Sequence, residues 1–311
     1  MSDNFVVDSS IEKAIHVTHQ FRNIMCCVSG GSDSDVVIDI LQKTGCNADY
    51  VYYDTGLEYD ATKEHIKHLE SKYQIQIKTL KPKIPIPLAC KKYGLPFLSK
   101  EISDKINRLQ RHNFAFKDKP FNVLYKEYPN CKAALRWWCN DFGEKSRYNI
   151  EYTKGLKEFL ISNPPTFRIS DQCCNCAKKS IGKQYAKEND IDLTILGLRK
   201  YEGGARNRLK RCFIAENDKS YFYPIFWYKK LDKHYYESKY NIEHSKCYSV
   251  YGLERTGCAG CPFGKDYKNE LKIMKKFEPK LYKAAINIFK DSYNYTDQFY
   301  NFRKSLLTNS I

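Results

Sequence analysis

Residues 24–41 read IMCCVSGGSDSDVVIDIL, which is an apolar run, a glycine-rich turn and the start of a helical pattern. The apolar run Ile24–Val28 predicts a buried strand, and the segment from Asp33 to about Thr44 predicts the helix that follows it. A strand that leads through glycines into a helix gathers unpaired backbone N–H groups and the positive end of the helix dipole around one point. The sequence therefore predicts a phosphate-binding loop.

The residues of this loop are small and polar. Glycines permit positive φ angles and a close approach of the backbone to an anion, and serine hydroxyls add donors without bulk. Asp33 suits the site if it caps the helix or helps to hold magnesium. The lysine-bearing loop of kinases and GTPases is excluded, because no Gly-Lys-Ser or Gly-Lys-Thr follows. A plain strand–turn–helix connection is the alternative. The predicted phosphate contacts are Ser29, Gly30, Gly31, Ser32, Asp33 and Ser34.

Composition limits the class of protein. The chain has 311 residues, of which 42% are hydrophobic, so it can bury a full core in one large domain or in a domain with an appendage. It has no long apolar run and no signal-peptide pattern at its start, so we expect a cytoplasmic protein without a membrane partner. The net charge of +16, with 25 Tyr and 17 Phe among the cations, favours a polyanionic partner such as DNA or tRNA.

Apolar runs alternate with helical patterns, as a doubly wound α/β domain with a mostly parallel sheet requires. A second strand is predicted over residues 49–53, a helix over about 59–73 and a third strand over 75–80. The carboxyl ends of parallel strands line the ligand crevice of such sheets. Asp54 and Gly56 follow the second strand, so we expect Asp54 to face the phosphate loop, with a turn-forming aspartate as the alternative.

A later apolar run, Leu193–Leu196, predicts another buried strand, which ends at Gly197. Arg199 and Arg206 follow it. A guanidinium at a strand end can bind a phosphate through two parallel hydrogen bonds. Both arginines are therefore candidate phosphate ligands, and a surface arginine is the alternative for each.

The chain is expected to divide into a nucleotide-binding α/β domain, residues 1–215, and a C-terminal region, residues 216–311. An inserted segment at about 82–165 interrupts the first domain with a basic and aromatic sequence. Three prolines in residues 81–87 predict an extended connector before it. The C-terminal region is expected to complete a cysteine cluster and then to be helical, roughly over 265–289, with a break at Pro279.

Thirteen cysteines are too many for an ordinary cytosolic chain, and most are expected to be small core residues. Five of them form two tight groups, with Cys-x-x-Cys spacing at 173/176 and at 258/261. Four thiolates suffice for a metal site, and spacing alone does not separate zinc from an iron–sulfur cluster. The predicted metal ligands are Cys173, Cys174, Cys176, Cys258 and Cys261.

Taken in order along residues 24–262, these motifs resemble the adenine nucleotide α-hydrolase superfamily, which includes PP-loop ATP pyrophosphatases and phosphoadenylyl-sulfate (PAPS) reductases. The loop matches Ser-Gly-Gly-x-Asp-Ser, and an Asp-Thr-Gly follows the second strand. The resemblance implies an adenine nucleotide at the loop, with Asp33 and Arg199 as catalytic candidates. It implies further nucleotide contacts at Asp54, Gly56, Gly197 and Arg206.

The same resemblance implies a 4Fe-4S cluster rather than zinc, because many adenylyl-sulfate reductases use a Cys-Cys pair and a later Cys-x-x-Cys. Cys258 and Cys261 fit the later pair. Cys176 is an extra residue, and the fourth ligand is open between Cys173 and Cys174.

Sulfonucleotide reductases of the superfamily use a C-terminal cysteine as nucleophile, and no cysteine follows Cys261 here. The chain is then most similar to the iron–sulfur ATP pyrophosphatases that support DNA phosphorothioation or tRNA thiolation. This implies Mg-ATP, adenylation of a nucleic-acid acceptor and sulfur from a donor such as a cysteine desulfurase. The alternatives are a PAPS reductase-like enzyme that takes a thiol in trans, and a non-catalytic nucleotide and nucleic-acid sensor.

Overall fold

The computed structural model describes residues 4–216 and 219–308, apart from the side chains of residues 204, 205 and 307. Two compact units share the chain. The first unit comprises residues 1–83, 177–259 and 276–278, and the second comprises 84–176, 260–275 and 279–311. The boundary between residues 215 and 216 that the sequence predicts stays a prediction.

The strands in chain order are β1 (Ile24–Val28), β2 (Ala48–Tyr53), β3 (Ile77–Leu80), β4 (Leu193–Leu196), β5 (Phe213–Glu216) and β6 (Lys219–Phe222). The helices are α1 (Phe5–Thr18), α2 (Ser32–Thr44), α3 (Asp60–Tyr73), α4 (Ile86–Tyr93), α5 (Lys100–Gln110), α6 (Phe121–Glu127), α7 (Lys132–Trp138), α8 (Leu156–Ser162), α9 (Gln172–Cys174), α10 (Ser180–Glu188), α11 (Lys230–Lys239), α12 (Lys246–Ser249), α13 (Tyr267–Phe277) and α14 (Pro279–Thr308). A π-helical turn over Asn175–Lys179 joins α9 to α10.

The first unit contains a six-stranded sheet in the order β3-β2-β1-β4-β6-β5. All neighbouring strands are parallel except β5 and β6, which are antiparallel. This confirms the predicted doubly wound, mostly parallel α/β class. The central strand β1 is buried along nearly its whole length, as a parallel strand covered on both faces must be.

Helix α2 packs its apolar face on this sheet. Val36, Val37, Ile40 and Leu41 are fully buried and recur at the three- and four-residue spacing of a helix face. The helix ends at Gly45, which adopts the left-handed conformation that glycine tolerates best. Strand, loop and helix are thus held in one rigid arrangement, which fixes the loop between them.

The second unit is helical and has an aromatic core. Tyr295 and Phe299 of α14 pack on Phe159 of α8 with ring centroids 5.0 and 5.4 Å apart. The predicted break at Pro279 is confirmed, since α13 ends at Phe277 and α14 begins with the proline. Of the helices within residues 4–216 and 219–308, none is both long and apolar enough to cross a membrane.

The extended connector predicted over residues 81–87 is wrong in its last two residues, 86 and 87. Helix α4 begins at Ile86, with Pro85 at its N-cap and Pro87 in its first turn. A proline in the first turn costs no helical hydrogen bond, because the N–H groups there have no partner inside the helix. The proline-rich sequence therefore starts a helix here.

Candidate functional site

The loop between β1 and α2 is held by its own serines. Gly30 has φ +65°, and Gly31 is the extended N-cap residue of α2. The buried Ser34 donates its hydroxyl to the Gly31 carbonyl at 2.7 Å and accepts the Ser29 N–H at 3.4 Å. Ser34 thus maintains the shape of the loop. Ser32 is half-buried.

The two loop glycines have no room for a side chain. A Cβ atom at Gly30 would lie 2.6 Å from Cγ2 of Thr62 on α3. At Gly31 it would lie 2.9 Å from the Thr256 hydroxyl and 3.2 Å from that of Tyr248. The Tyr248 hydroxyl also accepts the backbone N–H of Ser32 at 3.0 Å. The first N–H group of α2 is therefore already hydrogen-bonded to a tyrosine that lies over the loop.

Two cations converge on Asp33. Nε of Arg199 lies 2.9 Å from Asp33 Oδ1, and Nζ of Lys233 lies 3.0 Å from the same oxygen. Lys233 also donates to the Ser32 hydroxyl. The side chains of Asp33, Arg199 and Lys233 are each less than a fifth exposed. The predicted residues Asp33 and Arg199 are therefore brought together, and Lys233 is a site residue that the sequence reasoning missed.

Strand β4 brings Arg199 to the loop through a close backbone contact. A Cβ atom at Gly197 would lie 3.1 Å from the Asp33 carbonyl and 3.2 Å from the Ser34 nitrogen. The strand end therefore abuts the first turn of α2, and a larger residue than glycine would force the two backbones slightly apart. Gly197 acts by spacing these two elements.

Arg206 belongs to the same electrostatic neighbourhood. It forms an ion pair with Glu202. Burial lowers the pKa of Arg206, the charges of Arg255 and Arg199 lower it further, and Asp33 opposes them. Three arginines thus act on one another near Asp33, which favours an anionic ligand with several charges. Arg255 was also missed from the sequence.

Asp54 lies at the carboxyl end of β2, as predicted. Its carboxylate accepts the N–H of Gly56 at 3.0 Å, and Gly56 has φ +81°. This is the hydrogen bond of a turn-forming aspartate. A nucleotide contact for Asp54 and Gly56 stays a prediction.

The cysteines predicted as metal ligands are divided between the units: Cys258 belongs to the first, and the other four belong to the second. In the second unit, the pKa of Cys173 is raised. A hydrogen bond with Cys174 lowers it, but a hydrogen bond with Cys90, burial and the charges of Cys90 and Cys261 outweigh that effect. Cys90, expected to be an ordinary core residue, is thus a neighbour of the predicted ligands.

Within residues 4–216 and 219–308, no group of three or more His, Cys, Asp or Glu side chains is placed to hold a metal ion. Magnesium that is held by one or two carboxylates together with nucleotide phosphates needs no such group. In this structure Oδ1 of Asp33 forms ion pairs with Arg199 and Lys233. Both metal sites stay predictions.

Residues 23–134 match the family model of the phosphoadenosine phosphosulfate reductase domain. This match is about a third of the chain. It includes the loop of residues 29–34 and Asp54, and it ends before Arg199, Lys233 and the two cysteine groups.

An uncharacterized protein of Methanocaldococcus jannaschii is 24% identical over 273 residues, which are 87% of this chain. The chain spans only 42% of the length of that relative. Among solved structures, a PAPS reductase from Candida auris, in a phosphate complex, has 13% identity and a TM-score of 0.44, and the match covers 83% of this chain and 97% of that one. An NH3-dependent NAD synthetase from Campylobacter jejuni has 12% identity and a TM-score of 0.37, with 93% and 94% covered.

Proposed function

We propose that this chain, a member of the PAPS reductase and PP-loop superfamily, is an ATP pyrophosphatase-type enzyme that binds Mg-ATP at the loop of residues 29–34. The superfamily consists of nucleotide-utilising enzymes. The observation that carries the proposal is the placement of Arg199 and Lys233 together on Asp33, at the N-terminus of α2. Two partly buried cations beside a glycine loop form a binding site for several phosphate charges.

In the proposed reaction an acceptor oxygen attacks the α-phosphorus of ATP. The bond from that phosphorus to the bridging oxygen breaks, and its electron pair leaves with pyrophosphate. Arg199 and Lys233 stabilise the charge that develops on the leaving pyrophosphate, and the positive end of the α2 dipole adds to this stabilisation. Asp33 positions both cations. Magnesium bound with the nucleotide would neutralise further phosphate charge.

The acceptor is proposed to be DNA or tRNA, for which the net charge of +16 is the support. Once the acceptor oxygen is adenylated, it can leave as part of AMP, which is a good leaving group. A sulfur nucleophile, such as the persulfide of a partner cysteine desulfurase, would form a bond to the acceptor and displace AMP. The product of this step is a disulfide between the acceptor sulfur and the desulfurase cysteine, and a second thiol, for example one of the desulfurase, would reduce it to release the thiolated acceptor.

A 4Fe-4S cluster held by Cys258, Cys261 and the Cys173–Cys174 pair, with Cys176 nearby, is proposed as a resident group, and zinc is the alternative. The support is the pattern of cysteine spacing and the mutual hydrogen bonding of Cys173 and Cys174. When bound, such a cluster would act either as a structural element or as a redox group.

A PAPS reductase-like enzyme is the second candidate. Its support is the family match over residues 23–134 and the group of Arg199, Arg206 and Arg255, which offers charge for a sulfate or a second phosphate. It would require a thiol in trans.

The proposed reaction is tested by pyrophosphate release from Mg-ATP in the presence of nucleic acid. We expect wild-type protein to release pyrophosphate and Asp33→Asn to lose at least a hundredfold in rate, because the two cations lose the carboxylate that positions them. Lys230→Met, an exposed position on α11, is the control and is expected to keep the rate. An unchanged rate in Asp33→Asn would remove Asp33 from the mechanism.

A further inference from the structure

The position of Lys233 requires an explanation, because a lysine that is only 13% exposed is costly unless its charge is matched. Besides Asp33 and Ser32, its Nζ has Glu237 Oε1 at 3.4 Å, one turn along α11. Two carboxylates thus compete for one ammonium group. Whichever holds it more strongly decides whether Lys233 stays at the loop.

Glu237 is itself held by a histidine. The Glu237 carboxylate lies 2.9 Å from Nε2 of His244, and the Asp35 carboxylate lies 2.7 Å from Nδ1 of the same ring. Carboxylates only accept hydrogen bonds when ionised, so both ring nitrogens must carry protons. With both carboxylates ionised, the geometry therefore favours a charged imidazolium at His244.

Asp35 anchors this chain of contacts in the first turn of α2. It is fully buried, and its second oxygen lies 3.1 Å from Nε2 of His65, outside hydrogen-bond geometry. The chain thus runs from α2, through His244, to α11. It begins two residues from Asp33 and ends at the cation that Asp33 binds.

The pKa values agree with this arrangement. Burial alone would lower the pKa of His244, but hydrogen bonds with Asp35 and Glu237 and the charges of both raise it to about 9. The pKa of Glu237 is lowered: burial raises it, and His244 and Lys233 outweigh burial. At neutral pH the imidazolium therefore balances much of the charge of Glu237. The ammonium group of Lys233 then remains available to an anion at the loop.

We propose that Lys233 is a phosphate-binding residue of the nucleotide site and that His244 is its positioning residue. With His244 charged, Glu237 is held toward the imidazolium, and the ammonium of Lys233 stays at Ser32 and Asp33. With His244 neutral, the ion pair between Glu237 and Lys233 becomes stronger, and the ammonium moves away from the loop. The inference rests on the proposed function in one respect, namely that a phosphate-bearing ligand occupies the loop.

Several ionisable groups face His244 from the elements around it, and two of them, Asp35 and Glu237, contact its ring directly. The groups are Asp35 from α2, Glu237 and Lys233 from α11, His65 from α3 behind Asp35, and Tyr248 from α12, whose ring centroid is 5.8 Å away.

The test is calorimetric binding of two probes, Mg-ATP and inorganic pyrophosphate, to the full chain. Lys233→Met is expected to weaken both by tenfold or more, and Lys233→Arg to recover most of the loss. The matched control Lys230→Met, exposed on the same helix, is expected to bind as wild type. Melting curves of each variant separate lost binding from lost folding.

The pH profile tests His244 separately. Because the charged imidazolium is present below its pKa of about 9, wild-type affinity for pyrophosphate is expected to fall as pH rises through that value. His244→Gln is expected to bind severalfold more weakly at pH 7 and to lack this step beyond the pH dependence that the ionisation of pyrophosphate itself produces in both proteins. A retained step in His244→Gln would overturn the role of His244.

Failure of the inference and failure of the proposed function give different results. Unchanged binding of both probes by Lys233→Met overturns the inference and leaves the ATP proposal standing. Pyrophosphate binding that depends on Lys233, without any ATP binding, supports the inference and overturns the ATP proposal. Wild-type protein that binds neither probe overturns both.

Discussion

Asp33 holds two cations through a single oxygen, and this arrangement explains why an aspartate belongs beside a phosphate loop. Arg199 and Lys233 lie 2.9 and 3.0 Å from it. An aspartate facing a phosphate directly would repel it, whereas one that orders two cations lets them meet the phosphate in a fixed position. The residue thus acts through its neighbours.

At this scale the sequence predicted only part of the site. Asp33, Gly31 and Arg199 were predicted because each comes soon after an apolar strand, and the carboxyl ends of parallel strands line one crevice. Lys233 and His244 were missed, because nothing in the sequence of α11 separates Lys233 from Lys230 or Lys239 on the same helix. Only the packing of α11 against the loop decides which lysine contacts Asp33.

The glycine at position 30 gives a prediction on stability. Gly30→Ala is expected to lower the free energy of unfolding by about 2–5 kcal/mol, because φ is +65° and the new Cβ would lie 2.6 Å from Thr62 Cγ2. Urea unfolding measures the change.

Gly45→Ala is the matched control for that substitution. Its φ of +66° is nearly the same, but no atom lies within 4 Å of the new Cβ. Gly45→Ala should therefore lower the free energy of unfolding by only about 1 kcal/mol, the cost of holding alanine in a left-handed backbone conformation. Equal costs at the two positions would mean that the contact with Thr62 contributes nothing.

At the scale of elements, the site depends on how the end of β4 meets the first turn of α2. The strands Ile24–Val28 and Leu193–Leu196 were predicted with their observed bounds, because each is a nearly continuous apolar run that ends before a serine or glycine. The start of α4 at Ile86 was not predicted, because prolines are typical both of extended connectors and of first helical turns. Neighbouring tertiary contacts, rather than the local sequence, decide between the two.

Gly197→Ala tests this contact between β4 and α2. Its Cβ would lie 3.1 Å from backbone atoms of Asp33, which cannot move aside as a flexible side chain can. We expect Mg-ATP affinity to fall about tenfold with a loss of only about 1–3 kcal/mol in unfolding free energy. Calorimetry and urea unfolding measure the two quantities.

Gly257→Ala serves as the control, because no atom lies within 4 Å of its Cβ and its φ is not positive. It should leave nucleotide affinity unchanged. If Gly197→Ala also binds Mg-ATP as wild type does, the contact between β4 and α2 does not shape the site.

At the scale of the whole molecule, the chain passes between the two units several times. Residues 177–259 return to the first unit and bring β4, Arg199 and Lys233 to a loop that lies about 170–200 residues earlier. Such long-range pairings follow from topology and cannot be read from a local pattern. The predicted fold class succeeded because it depends on the order of strands and helices.

The cysteine prediction belongs to this scale, because its residues come from both units. Cys258→Ala is expected to abolish the brown colour and the bound iron of protein purified without oxygen, since one thiolate ligand is lost. Cys212→Ala, a buried cysteine outside the two groups, should keep both. Iron and sulfide analysis decides the outcome, and a Cys258→Ala protein with full iron content would exclude Cys258 as a ligand.

The central claim, that the loop of residues 29–34 is an ATP site with Asp33 and Arg199 at its centre, is tested most directly by calorimetric titration of anaerobically purified protein with Mg-ATP and with PAPS. The account predicts that Mg-ATP binds at least tenfold more tightly, a difference of about 1.4 kcal/mol. Tighter binding of PAPS would contradict it in favour of the reductase with a thiol in trans. Binding of neither nucleotide would contradict both enzymatic readings.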